Sequence, residues 1–547
     1  MPPRVNDIEV KSFLAELENF HKMETDRPDA QQALNRYNNF AYKWAMINER
    51  NRHYQPLNFS GDSAAYSSND LLTRRVRDQV RNDPIVKSIP IKLADRVVGT
   101  GLRTFSDPIE GAILSDDEKL LLEQLEQAHE MDTEHQAWYE DKDAFDVEGK
   151  MSGPEMEAAG FREQVTSGDT ILLRCFRKRL NVDMPLCYQL IERDQLDRRR
   201  DHPSDDRGIR CVNGIELDKS NRPVAYWIYD AHPGDSFQPF QSTLHSTKYP
   251  AERVIHLFAF ARPSQNVGVS WLDAIGQDLF DEDRMVSSEL QVATKNAVLA
   301  FYANRKNPYS GGMGIGYGDE DYGGVPCAGN GNDIALGSSP LAIELGLDEK
   351  LGIVESTTRP NIRIMEWLQH AALRKSAGVG LSVYSLMGDY SRTNYTGFRG
   401  AMIDEDISLK PLQGWYGHGL CLPIRREFNA LAVAIGRYQR IKPSEFQKDL
   451  RRFQRFDLVT AGRQFLEPEK ETDATMAALR SGLMTFKVGC AKLGFHWVTQ
   501  LRQIARENLI KKMLGVTLDY SKGQGGQIVA ADKEDDSVFQ EKQPEAD

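Results

Sequence analysis

The chain has 547 residues and a formal net charge of −12 at pH 7, with 40% hydrophobic and 27% charged residues. These proportions are ordinary for a globular protein, and no run approaches the roughly 18 apolar residues of a membrane-spanning helix, so no membrane segment is predicted. The acidic total argues against a protein that grips nucleic acid, because tight binding to DNA phosphates requires basic surfaces.

The N-terminal part is predicted to be mainly helical. The first residues lack the basic and then apolar segments of a signal peptide, so we expect a cytoplasmic protein. Residues 1–55 are expected to be polar and helical and 58–70 to form a loop, and a helix should run from Leu71 into the 90s, ending at Gly99 and Gly101, which permit a sharp turn. Four arginines in its early turns form either an anion site or a solvated helix face: Arg74, Arg75, Arg77 and Arg81.

The chain then changes from helix to strand. Helices are expected over 116–139 and 155–164. After them come short β-branched and aromatic runs separated by turn residues, which predict a mixed or antiparallel sheet packed on the flanking helices. These runs begin at Thr170, Leu186, Gly214, Pro223 and Val254.

The long segment Gly268–Asn304 is the central feature of the sequence. Ser270 and Asp273 have the spacing of a capping box, and apolar residues at steps of three, four or seven predict one amphipathic helix. The stripe consists of Leu272, Ile275, Leu279, Val286, Leu290, Ala293, Ala297 and Phe301. Its charged flanks are Asp278, Asp281 and Glu289 on one side and Arg284 and Lys295 on the other. One helix cannot pair its own flanks, so the pattern is typical either of a bundle helix with a solvated charged face or of copies packed side by side in a ring.

Further loops and helices are predicted beyond this segment. Residues 307–356 are rich in glycine and are expected to form a loop. The next elements are a helix from Pro360 to Gly378, a polar loop over Leu386–Gly397, and a helix that kinks at Pro411 and continues through Phe428. Helices are also expected over 468–479, up to 494 and over 497–514, followed by a polar, acidic, disordered tail from Ser521.

Motifs for catalysis are missing from the sequence. Neither a G-x-G-x-x-G nor a P-loop sequence occurs, and the scattered cysteines suggest neither a disulfide framework nor a zinc site. Four acids near His202 allow a two-metal carboxylate site to be imagined, but a polar turn between strands explains them better: Asp194, Asp197, Asp205 and Asp206. We therefore predict no enzymatic activity, no cofactor and no metal, with a nuclease or ligase-like enzyme as the alternative.

Several short segments, in this order across about residues 70 to 515, carry a family resemblance. They are Arg77–Pro84 with Val97–Gly101, Gly214–Asp218 with Arg222–Ile228, Val254–Phe258 with Arg262–Trp271, Met387–Thr396, and Glu467–Glu471 with Ser481–Thr485. Together they resemble the portal proteins of tailed bacteriophages, specifically the lambda-like portal family.

The resemblance implies an α+β portal fold and a ring of twelve subunits at one capsid vertex, through which double-stranded DNA is packaged and later ejected. Carried over by position, its parts are an N-terminal segment and wing (1–267), a first stem helix (268–304), a clip (305–357), a second stem helix (358–381), a tunnel loop (382–397), a wing region with a kinked helix (398–465), a helical crown (466–520) and a tail (521–547). The implied partners are the terminase, the major capsid protein, a scaffolding protein and a head–tail adaptor. The implied location is the virion, with assembly in the host cytoplasm; another capsid or adaptor protein is the structural alternative.

By the same resemblance, the loop over 386–396 projects into the channel. It offers Tyr390, Arg392, Asn394 and Tyr395, and its single cation would touch phosphates without reading bases. In the alternative, the two tyrosines anchor the loop against the wing and Arg392 pairs with Asp389. An acidic chain suits a DNA channel, because like charge repels the phosphates and keeps the duplex centred.

Overall fold

Helices and small antiparallel sheets alternate along the chain in the computed structural model, which describes residues 57–107, 118–178, 182–236, 245–298, 301–305, 349–353, 364–391, 393–462, 466–518 and 528–530. The chain divides into two units, Met1–Ser60 and Gly61–Asp547. All elements named below belong to the second unit.

The helices, numbered in chain order, are α1 (Gly61–Asn82), α2 (Pro84–Val97), α3 (Glu118–Glu140), α4 (Lys142–Phe145), α5 (Gly153–Ser167), α6 (Asp273–Val298), α7 (Ile364–Val379), α8 (Val383–Met387), α9 (Tyr395–Tyr416), α10 (Leu422–Ala434), α11 (Pro443–Lys448), α12 (Leu450–Phe453), α13 (Pro468–Arg480), α14 (Phe486–Lys492) and α15 (Trp497–Leu514). A π-helical turn, Gly417–Cys421, joins α9 to α10. No helix within the described ranges is long and apolar enough to cross a membrane.

The strands are β1 (Arg103–Ser106), β2 (Asp169–Phe176), β3 (Leu186–Ile191), β4 (Arg210–Val212), β5 (Ile215–Leu217), β6 (Pro223–Tyr229), β7 (Ser246–Pro250), β8 (Val254–Phe258), β9 (Phe301–Arg305), β10 (Glu349–Ile353), β11 (Phe456–Val459), β12 (Val516–Leu518) and β13 (Ile528–Ala530). They pair in the orders β3-β2-β8, β4-β5-β6-β7, β1-β11, β9-β10 and β12-β13. All of these pairings are antiparallel. The predicted strand runs are confirmed as β2, β3, β5, β6 and β8, but they are divided between two sheets.

Two hydrophobic cores hold these elements. The larger core joins α2, α3, α5, α9 and α10 around buried aromatic rings, among which Trp138 lies 4.8 Å from Phe428 and 5.0 Å from Phe145 between centroids. The smaller core lies between the three-stranded and four-stranded sheets, with Ile171 and Ile215 fully buried. Rings packed edge to face and offset add to the burial of their area.

The helix predicted from Leu71 is in fact two helices. α1 begins at Gly61, ten residues before the predicted start, so the predicted loop over 58–70 is wrong from Gly61 onward. The polar residues that suggest a loop are buried partners of distant backbone: Asp62 accepts the Asn266 N–H at 2.7 Å, and Asn69 donates to the Gly268 carbonyl at 2.8 Å. α2 starts anew because Asp83 caps it, with Pro84 in its first turn.

The long central helix is shorter at both ends than predicted. The hydroxyl of Ser270 accepts the N–H of Leu272 at 3.1 Å and donates to the carbonyl of Val165, so the expected capping box with Asp273 does not form. At the other end the helix stops at Val298, and Phe301–Arg305 pairs with Glu349–Ile353 as a β-ribbon. Phe301, the last residue of the predicted stripe, therefore lies in a strand and not in the helix.

The helix predicted to break or kink at Pro411 does not break there. α9 continues through Pro411 to Tyr416, and the irregular backbone falls on the π turn that follows. The three C-terminal helices are confirmed near their predicted bounds, as are α3, α5 and the turn at Gly99 and Gly101, both of which have positive φ. The predicted disordered tail from Ser521 is wrong over Ile528–Ala530, because this segment forms β13 and pairs with β12. The predicted helical region 1–55, the glycine-rich 306–348 and the rest of the tail lie outside the described residues.

Candidate functional site

The paired helices α6 and α7 form the first part of the candidate site. Arg374 of α7 lies 2.8 Å from the carboxylate of Asp278, and the buried Lys375 pairs with Glu282. A methyl group at Gly378 would lie 2.4 Å from Cγ2 of Ile275, so glycine permits the close approach of the two helices. Gly378, near the end of α7, lies against Ile275, near the start of α6, whereas the earlier Arg374 pairs with the later Asp278. The two helices therefore run antiparallel.

These contacts give Asp278 a partner within its own subunit. The sequence places Asp278 on an acidic flank that lacks a partner in its own helix, but the returning chain brings the basic end of α7 alongside it. Asp278 is therefore neutralised within the subunit. Sequence periodicity shows which residues share a face, whereas it does not show which helix packs there.

The remaining predicted stem residues have fewer partners. Asp281 accepts two hydrogen bonds of 3.1 Å from Gln277, and Arg284 lies over the ring of Phe280 at 5.5 Å. One carboxylate oxygen of Glu289 is buried without a hydrogen-bond partner in the described part of the chain. The side chain of Lys295 lies outside the described residues.

The apolar stripe of α6 divides into a buried and an exposed half. Leu272, Ile275 and Leu279 belong to the large core, whereas Val286 and Leu290 are exposed. Exposed apolar residues also occur elsewhere on both helices: Phe280, Met365, Trp367 and Leu373. Within the described residues, both helices of the pair therefore carry exposed apolar side chains.

A hydrogen-bonded junction holds the start of the α6 segment to the sheets. The buried carboxylate of Asp169 accepts the Gly268 N–H at 2.6 Å and lies 2.9 Å from Nε2 of His256 and 3.4 Å from Nε of Arg193. Arg193 and Asn69 both donate to the Gly268 carbonyl. Burial alone raises the pKa of Asp169, but Arg193, His256 and the Gly268 amide lower it below the usual value.

Two glycines let the backbones cross at this junction. Gly168 has φ of 99°, and a Cβ built on it would lie 2.4 Å from the Val269 nitrogen. A Cβ on Gly268 would lie 2.0 Å from the Gly168 carbonyl oxygen. The sequence predicts Gly268 only as the opening of a helical segment, and Gly168 has the local signal of a helix C-terminus, so neither position indicates the crossing.

The segment between α7 and α9 is more structured than the predicted loop. Ser382 caps α8 by accepting the Ser385 N–H at 3.1 Å, and Gly388 ends that helix with φ of 70°. Lys92 of α2 donates to the carbonyls of Ser385 and Leu386 at 2.8 Å each. The irregular part is therefore limited to 388–394.

A buried carboxylate secures the base of this loop. Glu405 of α9 accepts a hydrogen bond of 2.8 Å from the Ser385 hydroxyl and pairs with Nε of Arg96 at 2.9 Å. Its side chain is almost wholly buried, and both contacts cross between separate elements. α2, α8 and α9 are thus joined at the point where the loop begins.

The predicted tunnel-loop residues have distinct roles in the structure. Asn394 caps α9, its Oδ1 accepting the Gly397 N–H at 2.7 Å. Tyr395 is the first residue of α9, and desolvation and its hydrogen bond to Glu467 raise its pKa. Tyr390 is half-exposed and contacts Phe398 edge to face at 5.1 Å, and Arg392 lies outside the described residues. Tyr395 therefore contacts the segment before α13.

The acids near His202 do not assemble a catalytic site. Asp194 binds Arg77 at 2.6 Å, Asp197 accepts the backbone N–H of Arg199 at 3.0 Å, and Asp205 closes a turn by accepting the Ile209 N–H at 2.8 Å. Asp206 and His202 are exposed in or beside that turn. The prediction of a polar turn between strands is the better description.

Within the described residues, one cluster has the spacing of metal ligands: Glu192, Asp194 and His232. Nδ1 of His232 accepts the Gly234 N–H at 3.0 Å, so in the neutral ring Nε2 carries the proton and is not available to a metal. Asp194 is already held by Arg77. The donor set does not fit a metal ion.

Comparisons with known proteins give the family. The family described as "Phage portal protein, lambda family" matches residues 48–413. The "Probable portal protein" of Halomonas phage phiHAP-1 is 23% identical over 534 residues, covering 94% of this chain and 95% of that protein.

Solved structures are similar to the chain at lower sequence identity. One solved structure, "Neck of empty GTA particle computed with C6 symmetry", has a TM-score of 0.42 at 12% identity, and the match covers 81% of this chain and 96% of the chain in that structure. A second, "Virion of native gene transfer agent (GTA) particle", has a TM-score of 0.36 at 12% identity, and the match covers 73% of this chain and 95% of the chain in that structure. Because the family match spans more than half of the sequence, the chain belongs to the lambda family of phage portal proteins.

Proposed function

We propose that this portal protein assembles into a ring, of twelve subunits by analogy with its family, and that double-stranded DNA passes through the ring during packaging and ejection. The observation that carries the proposal is the antiparallel pair α6 and α7, which brackets the segment 306–348 and is fixed by Arg374 with Asp278 and by Lys375 with Glu282. In the proposed assembly this pair is the stem and the bracketed segment contributes the clip. The parts 1–267, 398–465 and 466–520 are proposed as wing, wing helix and crown.

The exposed side of the stem supports a subunit interface. Val286 and Leu290 remain exposed on α6, and an apolar patch on a subunit is typical of a contact surface. A ring brings two different surfaces of neighbouring copies together. We propose that Asp281, Glu289 and Lys295 lie at this contact with Arg284, whereas Asp278 serves its own subunit.

The loop 388–394 is proposed to face the channel. Its ends are held by Lys92 at α8 and by Tyr395 at α9, which leaves the intervening residues to approach DNA. Tyr390 is half-exposed, and Arg392 supplies a positive charge in an acidic chain. Contacts of this kind involve phosphates and carry no sequence information.

The proposed role requires no catalytic step by this chain. The terminase would supply the packaging activity, and the capsid protein, scaffold and adaptor would contact the outer surfaces of the ring. These partners are proposed from the family, with a virion location after assembly in the host cytoplasm.

Electron microscopy of the purified full chain tests the assembly. We expect ring-shaped particles with a central hole, and class averages should give the subunit number. Particles without a hole under all conditions of concentration and salt would overturn the proposal and favour another capsid or adaptor protein.

A further inference from the structure

The distal half of α15 has little cover from the described part of the chain. The start of the helix is fixed to the fold, because Arg502 donates to the Leu125 carbonyl at 2.8 Å and His496, the residue before the helix, stacks on Phe105 with 4.3 Å between ring centroids. Beyond Arg502, the side chains of 503–510 and 512–514 are all exposed. α15 therefore leaves the surface of the fold after Arg502.

Apolar and basic side chains lie together on this exposed half. Leu509 is 60% exposed and Met513 is 78% exposed. Residues three or four apart are neighbours on a helix surface, so Leu509 lies between Arg506 and Lys512 and next to Met513. No acidic side chain in the described part of the chain pairs with Arg506 or Lys512. We call these four residues the α15 patch.

The charge of the α15 patch argues against a second copy of the same helix as its cover. Residues 502–514 contain four basic side chains and one acidic side chain, Glu507, a formal charge of +3. Glu507 accepts a hydrogen bond of 3.0 Å from Gln503, an uncharged neighbour. Two copies packed through this patch would bring like charges together, which disfavours the contact. A partner that fits the patch carries acids together with an apolar side chain.

The chain itself contains such a partner after β13. The segment 531–547, which lies outside the described residues, has seven acidic residues against two lysines, a formal charge of −5. Four of these acids fall within Asp532–Asp536, and Val538 and Phe539 follow closely. The sequence of the segment is therefore complementary to the α15 patch in both charge and apolar character.

The pairing of β12 with β13 returns the chain to the end of α15. Val516, the second residue beyond the helix, pairs with Ala530, so residue 531 begins beside the helix end. At about 3.3 Å per extended residue, Phe539 can reach roughly 30 Å from Ala530, whereas Leu509 lies only about 8 Å along the helix from its last residue. The segment is long enough to reach the whole α15 patch.

We propose that the segment 531–547 folds back onto the distal half of α15 in its own chain. The carboxylates of Asp532–Asp536 neutralise the two cations of the α15 patch, and Phe539 covers its apolar side chains. Docked in this way, the segment keeps a basic and apolar helix end away from DNA and from other copies. The contact does not require a ring, so it holds or fails independently of the proposed function.

Zero-length carbodiimide crosslinking of the full chain, followed by denaturing electrophoresis and mass spectrometry, tests the proposal. The reagent joins a carboxylate to a lysine amine in direct contact, so Lys512 reports the approach of Asp532–Asp536. Phe539→Ser leaves every reacting group in place, and Gln540→Ser is the matched control at the next position. We expect Phe539→Ser to slow formation of this crosslink roughly tenfold, the factor that burial of one aromatic side chain supplies, and Gln540→Ser to leave it unchanged.

A second pair of variants tests the helix side of the contact. Leu509→Ser should slow the crosslink as Phe539→Ser does, because it removes the apolar centre of the α15 patch. Met476→Ser is its control, because Met476 is an exposed apolar residue of α13, 44% exposed, and does not belong to the patch.

The outcomes separate docking from mere tethering. Crosslinks recovered from chains that migrate as monomers, and slowed by Phe539→Ser and Leu509→Ser but not by their controls, support the proposal. Crosslinks confined to linked oligomers would assign the segment to a second copy and overturn it. Equal crosslinking in all variants, or none at Lys512, would also overturn it, because the segment is then tethered near the helix without docking. Ring formation is measured separately by electron microscopy, so its failure is distinguishable from each of these results.

Discussion

Replacing Glu282 with glutamine should loosen the stem pair, because it leaves the charge of Lys375 buried. The side chain of Lys375 is 1% exposed and that of Glu282 is 13% exposed, so water can replace little of the lost partner. Removing one member of a buried ion pair costs about 3 to 5 kcal/mol. We take the lower end, about 3 kcal/mol, because Glu282 retains some contact with water.

Hydrogen exchange measured by mass spectrometry reports this loss locally, which suits a long chain that is not expected to unfold in one step. A loss of about 3 kcal/mol corresponds to exchange roughly 100-fold faster for the amides of α7. Asp278→Asn is the matched control on the same helix, because its partner Arg374 is 61% exposed and such a pair contributes only about 0 to 1 kcal/mol.

The paired replacement Glu282→Leu with Lys375→Met should restore most of the protection, since apolar side chains of similar size often substitute for a buried ion pair without loss. Equal exchange in Glu282→Gln and Asp278→Asn would refute the reasoning. So would a double variant that exchanges as fast as the single one, because the cost would then come from packing and not from the buried charge.

Four further predictions concern catalysis, assembly, DNA and acid stability. The purified chain should leave duplex DNA and ATP unchanged in the presence of Mg²⁺, because Asp194, Asp197 and Asp205 are engaged in turns and ion pairs; cleavage or hydrolysis that survives repurification would contradict this. Lys295→Glu should reduce ring abundance most at low salt, where charges are least screened, whereas a ring yield independent of salt in both proteins would place Lys295 outside the interface. Arg392→Ala should assemble normally but reduce DNA retention in filled heads, and unchanged genome length and retention would favour a purely structural loop. Because the folded-state pKa of Asp169 lies below its unfolded value of about 3.9, its carboxylate stabilises the fold at neutral pH and this contribution disappears as the pH falls below about 4; acid unfolding of Asp169→Asn should lack that component, and identical acid profiles would argue against it.

The sequence predicts the helices whose ends are set by residues at those ends, such as proline, a capping side chain or glycine. α13 begins at Pro468, α14 is capped by Thr485, whose hydroxyl accepts the Val488 N–H, and α15 is followed by Gly515 with φ of 64°. α1 was not predicted over its first ten residues, because Asp62 and Asn69 favour a helix only through distant partners. Long-range pairing, which a single sequence does not reveal, decided that outcome.

The candidate site shows the same limit. The charges on α6 were recognised from their spacing, but their division between internal and exposed roles depends on α7, which lies beyond a long intervening segment. In the loop, Asn394 has the residue type and position of a helix cap, so the sequence alone is sufficient to predict its capping role. The contact between Tyr395 and Glu467 was not available, because it joins segments far apart in the chain.

The junction at Gly268 bears on where the portal can change shape. The Gly168 and Gly268 backbones cross too closely for a side chain at either position, and Asp169, Arg193 and Asn69 hold the crossing by hydrogen bonds from three separate elements. A rotation of α6 against the sheets would break these contacts together and leave a buried carboxylate without its partners, which is costly. The loop 388–394, in contrast, is held at its ends by Lys92 and Tyr395. We therefore expect the stem to move with the sheets as one unit and the loop to provide the adjustment to passing DNA.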